Sequence, residues 1–248
     1  MITDDDVRHV LWRCSVQEAE FFVQEFAKIP HLYVADGHHR TAAAFNVGEL
    51  RKAEKLKAGE TVTGEEPFNY FMTLFYPADS LYVLDYNRVL KTLNGLTSTQ
   101  FMDKLSEHFE LAPLPENAST KPPGLHHFTL LIDGQWYSMA LKASSLDTST
   151  PIAQLDSQIL TDRVFGPILG ITDLKNDSRI DFVGGIRGHK ELERRCLDDC
   201  VCAIAMHPCT VEELMGVADA DMIMPPKSTW FEPKPRSGFC TRVFDDEQ

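Results

Sequence analysis

The segment from Asp36 to Thr41 concentrates residues that can bind charged groups. It has the sequence DGHHRT and stands between a short apolar run and an alanine-rich helical pattern. The N-terminus of a helix exposes unpaired backbone N–H groups and the positive end of the helix dipole, so it attracts anions. Gly37 allows close approach to the backbone, and Arg40 can bind two phosphate oxygens at once. The pattern therefore predicts a phosphate or other anion site at the start of a helix.

Other interpretations of the same residues stay open at this stage. Asp36 can cap the helix, one of the two histidines can be a hydrogen-bonded structural residue, and Arg40 can pair with a surface acid. Asp36, His38 and His39 can also be the metal ligands of a hydrolase. That interpretation lacks the i, i+4 histidine pair of a helical zinc site, and the phosphate interpretation is favoured over it.

A second candidate segment is the proline-rich stretch MPPKSTWFEPK, residues 224–234, which we call the strap. Its prolines are predicted to hold Lys227, Ser228 and Thr229 in an extended backbone, where they can face an anionic ligand. The two aromatic residues that follow are predicted to pack against the core and anchor the strap. A further glycine turn, VGGIRGHKE at 183–191, is interpreted as a plain left-handed turn.

These two segments supply the predicted site. Asp36, His39 and Lys227 are the predicted catalytic residues: Asp36 holds Mg²⁺ or orients a hydroxyl group, and the histidine moves a proton near neutral pH. The predicted cofactor-binding residues are Gly37, His38, His39, Arg40, Thr41 and Ser228. Asp36 is the one predicted metal ligand.

Apolar periodicity and capping patterns predict the elements that carry these residues. Helices are expected at 15–29, 38–56, 97–108, 190–196 and 210–218, and a further helix is expected at 150–170 with a break near Gly166 and Pro167. Strands are expected at 31–36, 68–77, 81–86, 126–132, 135–141, 180–185 and 201–206. Asp133 and Gly134 are the predicted two-residue turn of a hairpin.

The mixture of hairpins and helices predicts an α+β or mixed α/β fold rather than a doubly wound parallel sheet. The proline-rich stretch 113–123 is the best candidate for a linker. We therefore expect a phosphate-binding part at 1–112 and a C-terminal α+β part at 124–248.

Composition excludes several classes of protein. The formal net charge of −13 argues against general nucleic-acid binding, because phosphate neutralisation needs a basic face. No stretch approaches the roughly 20 apolar residues of a membrane helix, and the acidic start does not resemble a signal peptide, so a cytoplasmic location is expected. The six cysteines lack zinc-ligand spacing and are interpreted as buried free thiols.

The motifs LYVADGHHRTAAA, RIDFVGG and MPPKSTWFEPKPRSG resemble the domain of unknown function 1015 family. That family is related to the ParB/sulfiredoxin-like superfamily, in which some members are free L-serine kinases. Gly37 to Arg40 match the Gly-x-[His/Arg]-Arg motif that those proteins place against nucleotide phosphates. The resemblance implies a ParB/sulfiredoxin-like nucleotide-binding part, with ATP or ADP and Mg²⁺ as cofactors.

The resemblance also implies an activity and a departure from the family. The activity is ATP-dependent phosphoryl transfer to a small hydroxylated metabolite, with free L-serine giving O-phosphoserine. Family members carry a long segment before the position that matches Met1, and in related kinases the candidate catalytic glutamate lies on that side. We expect this chain to lack that N-terminal part and to be a fragment or a reduced relative.

Two other functions and one mode of assembly are considered besides the expected kinase activity. A non-catalytic nucleotide-binding regulatory module would use the same turn without turnover. DNA-partition-like binding is the weakest alternative because of the negative charge. The expected partner is a small-molecule substrate, with neither nucleic acid nor membrane, and a homodimer is also considered.

Overall fold

Strands and helices alternate along residues 8–235, 238 and 240–242, the part of the chain that the computed structural model describes. The strands are β1 Tyr82–Leu84, β2 Tyr86–Leu90, β3 Phe109–Pro113, β4 His127–Ile132, β5 Gln135–Leu141, β6 Ile180–Gly184, β7 Cys202–Met206 and β8 Trp230–Glu232. The helices are α1 Val16–Phe26, α2 His38–Lys57, α3 Ser98–Leu105, α4 Asp156–Leu160, α5 His189–Asp198 and α6 Val211–Asp219. A π-helical turn, Thr161–Phe165, follows α4.

One six-stranded sheet has the order β3-β5-β4-β7-β2-β6, and a separate two-stranded sheet pairs β1 with β8. Every strand pair of the described residues is antiparallel. An antiparallel sheet combined with helices is an α+β fold, which confirms the predicted class. None of the helices in the described residues combines the length and the apolar character that a membrane-spanning helix requires.

Both faces of the central strands are buried. Leu90, Leu130 and Ile204 point to a face where Phe101 of α3 and Leu160 of α4 join the same cluster. Val89, Leu131 and Ala203 are direct neighbours of these residues in the three strands and point to the opposite face, since side chains alternate along a strand. Together with Leu192 of α5 they belong to a second cluster. Burial on both faces explains why β7 is an unbroken apolar run.

Locally encoded elements form as predicted. Capping boxes begin α1 at Ser15, α3 at Thr97 and α6 at Thr210. The hairpin of β4 and β5 turns at Asp133 and Gly134, whose φ angles are 48° and 76°. Positive φ at both central residues is what a type I′ hairpin turn needs.

Two strand predictions are wrong. Residues 31–36 form no strand, and residues 68–77 begin in a 3-10 turn at Pro67–Asn69 and continue without strand pairing. Phe68 is buried, but Leu74 is 62% exposed. Apolar and aromatic composition predicts a buried strand, but neither segment pairs with a strand among the described residues. The helix predicted over 150–170 is also shorter, because it consists of α4 and the π-helical turn, which ends just before the predicted break at Gly166.

The chain divides into two units at a different point from the predicted linker. The units are Met1–Ala35 and Asp36–Gln248. In the first unit, α1 carries no buried residue among those described. The proline-rich stretch 113–123 lies within the second unit, between β3 and β4. Both of these strands pair with β5, so the stretch connects two members of one sheet.

Candidate functional site

The turn from Asp36 to Thr41, which we call the anion turn, begins the 20-residue helix α2. Gly37 is the N-cap residue and has a φ of 88°, a left-handed conformation that suits glycine. Its backbone C=O accepts the N–H of Thr41 at 2.9 Å, which starts the helix. No side chain among the described residues caps α2. Among the described residues the anion turn thus has an uncapped N-terminus, and the alternative in which Asp36 caps the helix is wrong.

Arg40 lies against the backbone of the anion turn. A Cβ atom placed on Gly37 would be 2.9 Å from Nη2 of Arg40, so the guanidinium group occupies the space beside the glycine. The same Nη2 contacts Oδ2 of Asp36 at 3.2 Å. The acid that pairs with Arg40 is therefore a member of the same turn.

Asp36 also joins the anion turn to the strap. Its Oδ1 lies 3.5 Å from Nζ of Lys234. Partial burial acts to raise the pKa of Asp36, but the charges of Lys234 and Arg40 and the backbone hydrogen bond of Gly37 outweigh it and lower the pKa below the usual value. Because both carboxylate oxygens contact cations, this carboxylate as arranged does not fit a magnesium site made by protein groups alone.

The strap does not run fully extended as predicted. Lys227 has a φ of 57°, and the preceding residue is Pro226, the arrangement typical of a type II turn. Oγ of Ser228 donates to the backbone C=O of Pro225 at 2.8 Å and fixes the turn. The strap then forms β8 and pairs with β1.

A row of cations and aromatic rings connects the anion turn with the turn in the strap. Nζ of Lys234 lies 5.4 Å from the ring centroid of Trp230, and that ring is 5.6 Å from the ring of Tyr86. Nζ of Lys227 lies 5.8 Å from the ring centroid of Tyr86. Cations over aromatic faces at these distances are attracted by the ring quadrupole. The two predicted segments are therefore connected through successive contacts.

The glycines of the 183–191 segment serve this packing. A Cβ atom on Gly184 would be 2.6 Å from the ring of Trp230, and one on Gly185 would be 2.1 Å from Oδ1 of Asp85. Trp230 of the strap can pack on the end of β6, and Asp85 can pack beside Gly185, only because both positions lack a side chain. Gly188, with a φ of 68°, is the left-handed residue of the turn.

Ser228 lies in a pocket rather than in the anion turn. The pocket is partly open to solvent, and the space that it encloses is small. Its polar lining consists of Tyr86, Asp156, Ser157, His207, Glu213 and Ser228. Oγ of Ser228 is 3.0 Å from Oγ of Ser157.

The remaining predicted site residues lie in the anion turn. His38, His39 and Arg40 are exposed, and Gly37 and Thr41 are half-buried. The structure thus groups the predicted residues at two places, the anion turn and the pocket beside the strap.

Sequence analysis missed two buried charged side chains near the pocket. Asp156 is 6% exposed and begins α4, and burial raises its pKa to about 7. Arg88 is fully buried in β2 beneath Phe182, with its guanidinium carbon 4.6 Å from the ring centroid, and burial lowers its pKa to about 9. The available signal was one charged residue inside each of two otherwise uncharged segments, PIAQLDSQIL and YNRVL.

The six cysteines are free. Burial raises the pKa of Cys196 to about 11 and that of Cys209 to about 12, so these groups stay protonated near neutral pH. Within the described residues, no group of three or more His, Cys, Asp and Glu side chains is arranged to hold a metal ion.

Comparison with solved structures finds weak likenesses. A free serine kinase in complex with AMP is 15% identical, with a TM-score of 0.43, and the match covers 88% of this chain and 81% of that chain. A variant of free serine kinase in complex with ADP is 16% identical, with a TM-score of 0.42 and the same coverage. A conserved hypothetical protein from Pyrococcus furiosus is 15% identical, with a TM-score of 0.40, covering 88% of this chain and 84% of that chain. Likeness of this degree does not establish a common topology.

The family is established by sequence. No curated protein matches the chain. Residues 1–158 match the model described as "Protein of unknown function (DUF1015)", which is more than half of the 248 residues. The chain belongs to the DUF1015 family.

Proposed function

We propose that this protein transfers a phosphoryl group from ATP to a small hydroxylated metabolite. The observation that carries the proposal is the anion turn, an uncapped helix N-terminus at Gly37 with Arg40 beside it. Free L-serine, giving O-phosphoserine, is the first acceptor to test because the motifs resemble a family related to free L-serine kinases. The wider ParB/sulfiredoxin-like kinship, the absent N-terminal part, a homodimer and a cytoplasmic location stay predictions.

The anion turn is suited to hold nucleotide phosphates. Backbone N–H groups and the helix dipole favour negative charge at this end of α2. Arg40 and Asp36 are 74% and 46% exposed in their side chains, and an ion pair of that kind contributes only about 0–1 kcal/mol. A phosphate group can therefore take Arg40 from Asp36 at little cost. Thr41 and the two histidines add further donors.

The acceptor end of the reaction is assigned to the strap. Lys227 lies over Tyr86, which lines the pocket, and the row through Trp230 leads back to Lys234 and the anion turn. A cation between donor and acceptor stabilises the charge that spreads over the transferred phosphoryl group.

The pKa of Asp36 changes the role proposed for it. A general base works best with a pKa near the operating pH, and the pKa of Asp36 is lowered below its usual value. Asp36 is therefore proposed to position Arg40 and Lys234, and His39 is proposed to move the proton of the acceptor hydroxyl group. Mg²⁺ would arrive with the phosphates of the nucleotide.

The test is nucleotide binding and turnover by the purified chain. With ATP, Mg²⁺ and L-serine, we expect O-phosphoserine, detected by ³¹P NMR. Arg40→Ala should raise the Kd for ATP at least tenfold, the effect of one lost hydrogen bond to a charged group. Lys52→Ala, which removes a cation from the same helix at an exposed pair with Glu49, should leave the Kd unchanged. Equal Kd values for both variants would refute the proposed phosphate site.

A second candidate is a regulatory module that binds nucleotide without turnover. It is favoured by the state of Asp36, whose two oxygens are both held by cations and whose low pKa makes it a poor base. Calorimetry would then show ATP binding that depends on Arg40, and no ATP consumption would follow the addition of L-serine.

A further inference from the structure

The pocket beside the strap contains a buried acid whose bonding is incomplete. Oδ1 of Asp156 accepts the backbone N–H of His126 at 2.9 Å. Oδ2 is enclosed and has no hydrogen-bond partner among the described residues. A buried carboxylate without a partner is strongly disfavoured, so Oδ2 either carries a proton or requires a positive group or strong donor as its partner.

A second carboxyl group faces the same space. Oε2 of Glu213 accepts the N–H of Thr210 at 2.8 Å and its hydroxyl group at 3.1 Å, as the third helical residue of the capping box of α6. Burial, together with the charge of Glu213, raises the pKa of Asp156 to about 7. A single cation in the pocket would relieve both the burial of Asp156 and its repulsion by Glu213.

The lining favours an ammonium group over a metal ion. The thiol of Cys209, which also lines the pocket, stays protonated near neutral pH and is then a poor metal ligand. No metal-holding group of side chains occurs in the described part of the chain. Ser157 and Ser228 instead offer hydroxyl oxygens 3.0 Å apart. An ammonium group has three donors and needs acceptors such as these.

A positively charged side chain, that of Lys227, lies next to the pocket. Lys227 adjoins Ser228 and lies over the ring of Tyr86, another lining residue. In an α-amino acid a single carbon separates the ammonium group from the carboxylate. If the ammonium group lies in the pocket, the carboxylate would lie near Lys227 at the rim of the pocket.

We propose that this pocket binds a primary ammonium group through Asp156 Oδ2, with Ser157 and Ser228 as further acceptors. With Lys227 at the rim, the ligand class is a small α-amino acid. Only the choice of L-serine as the amino acid rests on the proposed function.

The test compares ligands on the unaltered chain, without nucleotide, by calorimetry. The probes are L-serine and ethanolamine, each matched with a hydroxyl analogue that lacks the ammonium group: L-glycerate and ethylene glycol. We expect each amine to bind at least tenfold more tightly than its analogue. Equal affinities within both pairs, or no binding of either amine, would overturn the inference. Because this series needs no variant, it stays decisive even if a variant fails to fold.

Two variants test whether Asp156 is the residue that binds the ammonium group. Asp156→Asn keeps the shape but removes the charge and should weaken ethanolamine binding at least tenfold. Asp162→Asn, on the exposed side of the adjoining π-helical turn, should leave it unchanged. Unchanged binding by Asp156→Asn would overturn the assignment.

Failure of this inference and failure of the proposed function give different results. If the amines bind through Asp156 but no O-phosphoserine forms with ATP, the pocket stands and the kinase proposal falls. If O-phosphoserine forms but Asp156→Asn leaves the KM for L-serine unchanged, the kinase stands and the pocket assignment falls.

Discussion

The anion turn and the Asp156 pocket differ in how they are built. The anion turn consists of consecutive residues, is largely exposed and holds its acid, Asp36, between two cations. The pocket draws its lining from β2, α4, α6 and the strap, and it holds its acid, Asp156, buried with one oxygen unpartnered within the described residues. Surroundings therefore move the pKa of two aspartates in opposite directions, down for Asp36 and up for Asp156. A carboxylate stabilised by neighbours suits the positioning of cations, whereas one left without a partner suits the binding of a ligand.

The largest expected effect of this difference is a pH-dependent stability from Asp156. The pKa of Asp156 is about 7 in the folded state and near 3.8 in the unfolded state. Between these pH values the folded state therefore binds one more proton than the unfolded state. Its contribution to the free energy of unfolding is therefore present below about pH 4 and is lost as pH rises to about 7. The total is on the order of 4 kcal/mol.

Urea unfolding of Asp156→Asn and the wild type between pH 4 and pH 8 measures this pH-dependent contribution to the free energy of unfolding. Since asparagine does not titrate, the variant should gain stability relative to the wild type as pH rises. The difference should level off above about pH 7. Asp162→Asn should show no such trend, and a pH-independent difference for Asp156→Asn would contradict the buried state of this acid.

A smaller effect is expected at the anion turn from Gly37→Ala. The residue has a φ of 88°, where a side chain costs about 1–2 kcal/mol, and the new Cβ would collide with Arg40. We expect a loss of stability of about that size together with weaker ATP binding. The matched control is Gly216→Ala inside α6, where the added Cβ meets open space and should stabilise by roughly 0.5–1 kcal/mol. Chemical denaturation of the two variants should show opposite signs, and a neutral Gly37→Ala would argue against the described turn.

The smallest effect is expected from Lys234→Ala. This lysine pairs with Asp36 at 3.5 Å in an exposed position, so its loss should change stability by less than about 1 kcal/mol. The pKa of Asp36, followed by NMR, should rise towards its usual value because a lowering charge is gone. An unchanged pKa would show that Lys234 does not contact Asp36 in solution.

The difference between a turn built from consecutive residues and a pocket built from distant ones explains which features could be predicted from the sequence. The start of α2, the capping boxes of α1, α3 and α6 and the Asp133-Gly134 hairpin depend on residues a few positions apart, and the sequence predicts each of them. The Asp156 pocket depends on partners far along the chain, since the acid accepts from His126 and Ser157 contacts Ser228. The failed strand over 68–77 has the same cause, because a strand requires a neighbour that composition does not specify.

The most direct measurement is a titration of the chain with ADP, followed by the backbone amide resonances in ¹⁵N–¹H NMR spectra. If the anion turn binds phosphates, the amides of Gly37 to Thr41 should shift the most and should stop shifting in Arg40→Ala. Saturable ADP binding that leaves these five amides unmoved would contradict the placement of the nucleotide at the start of α2.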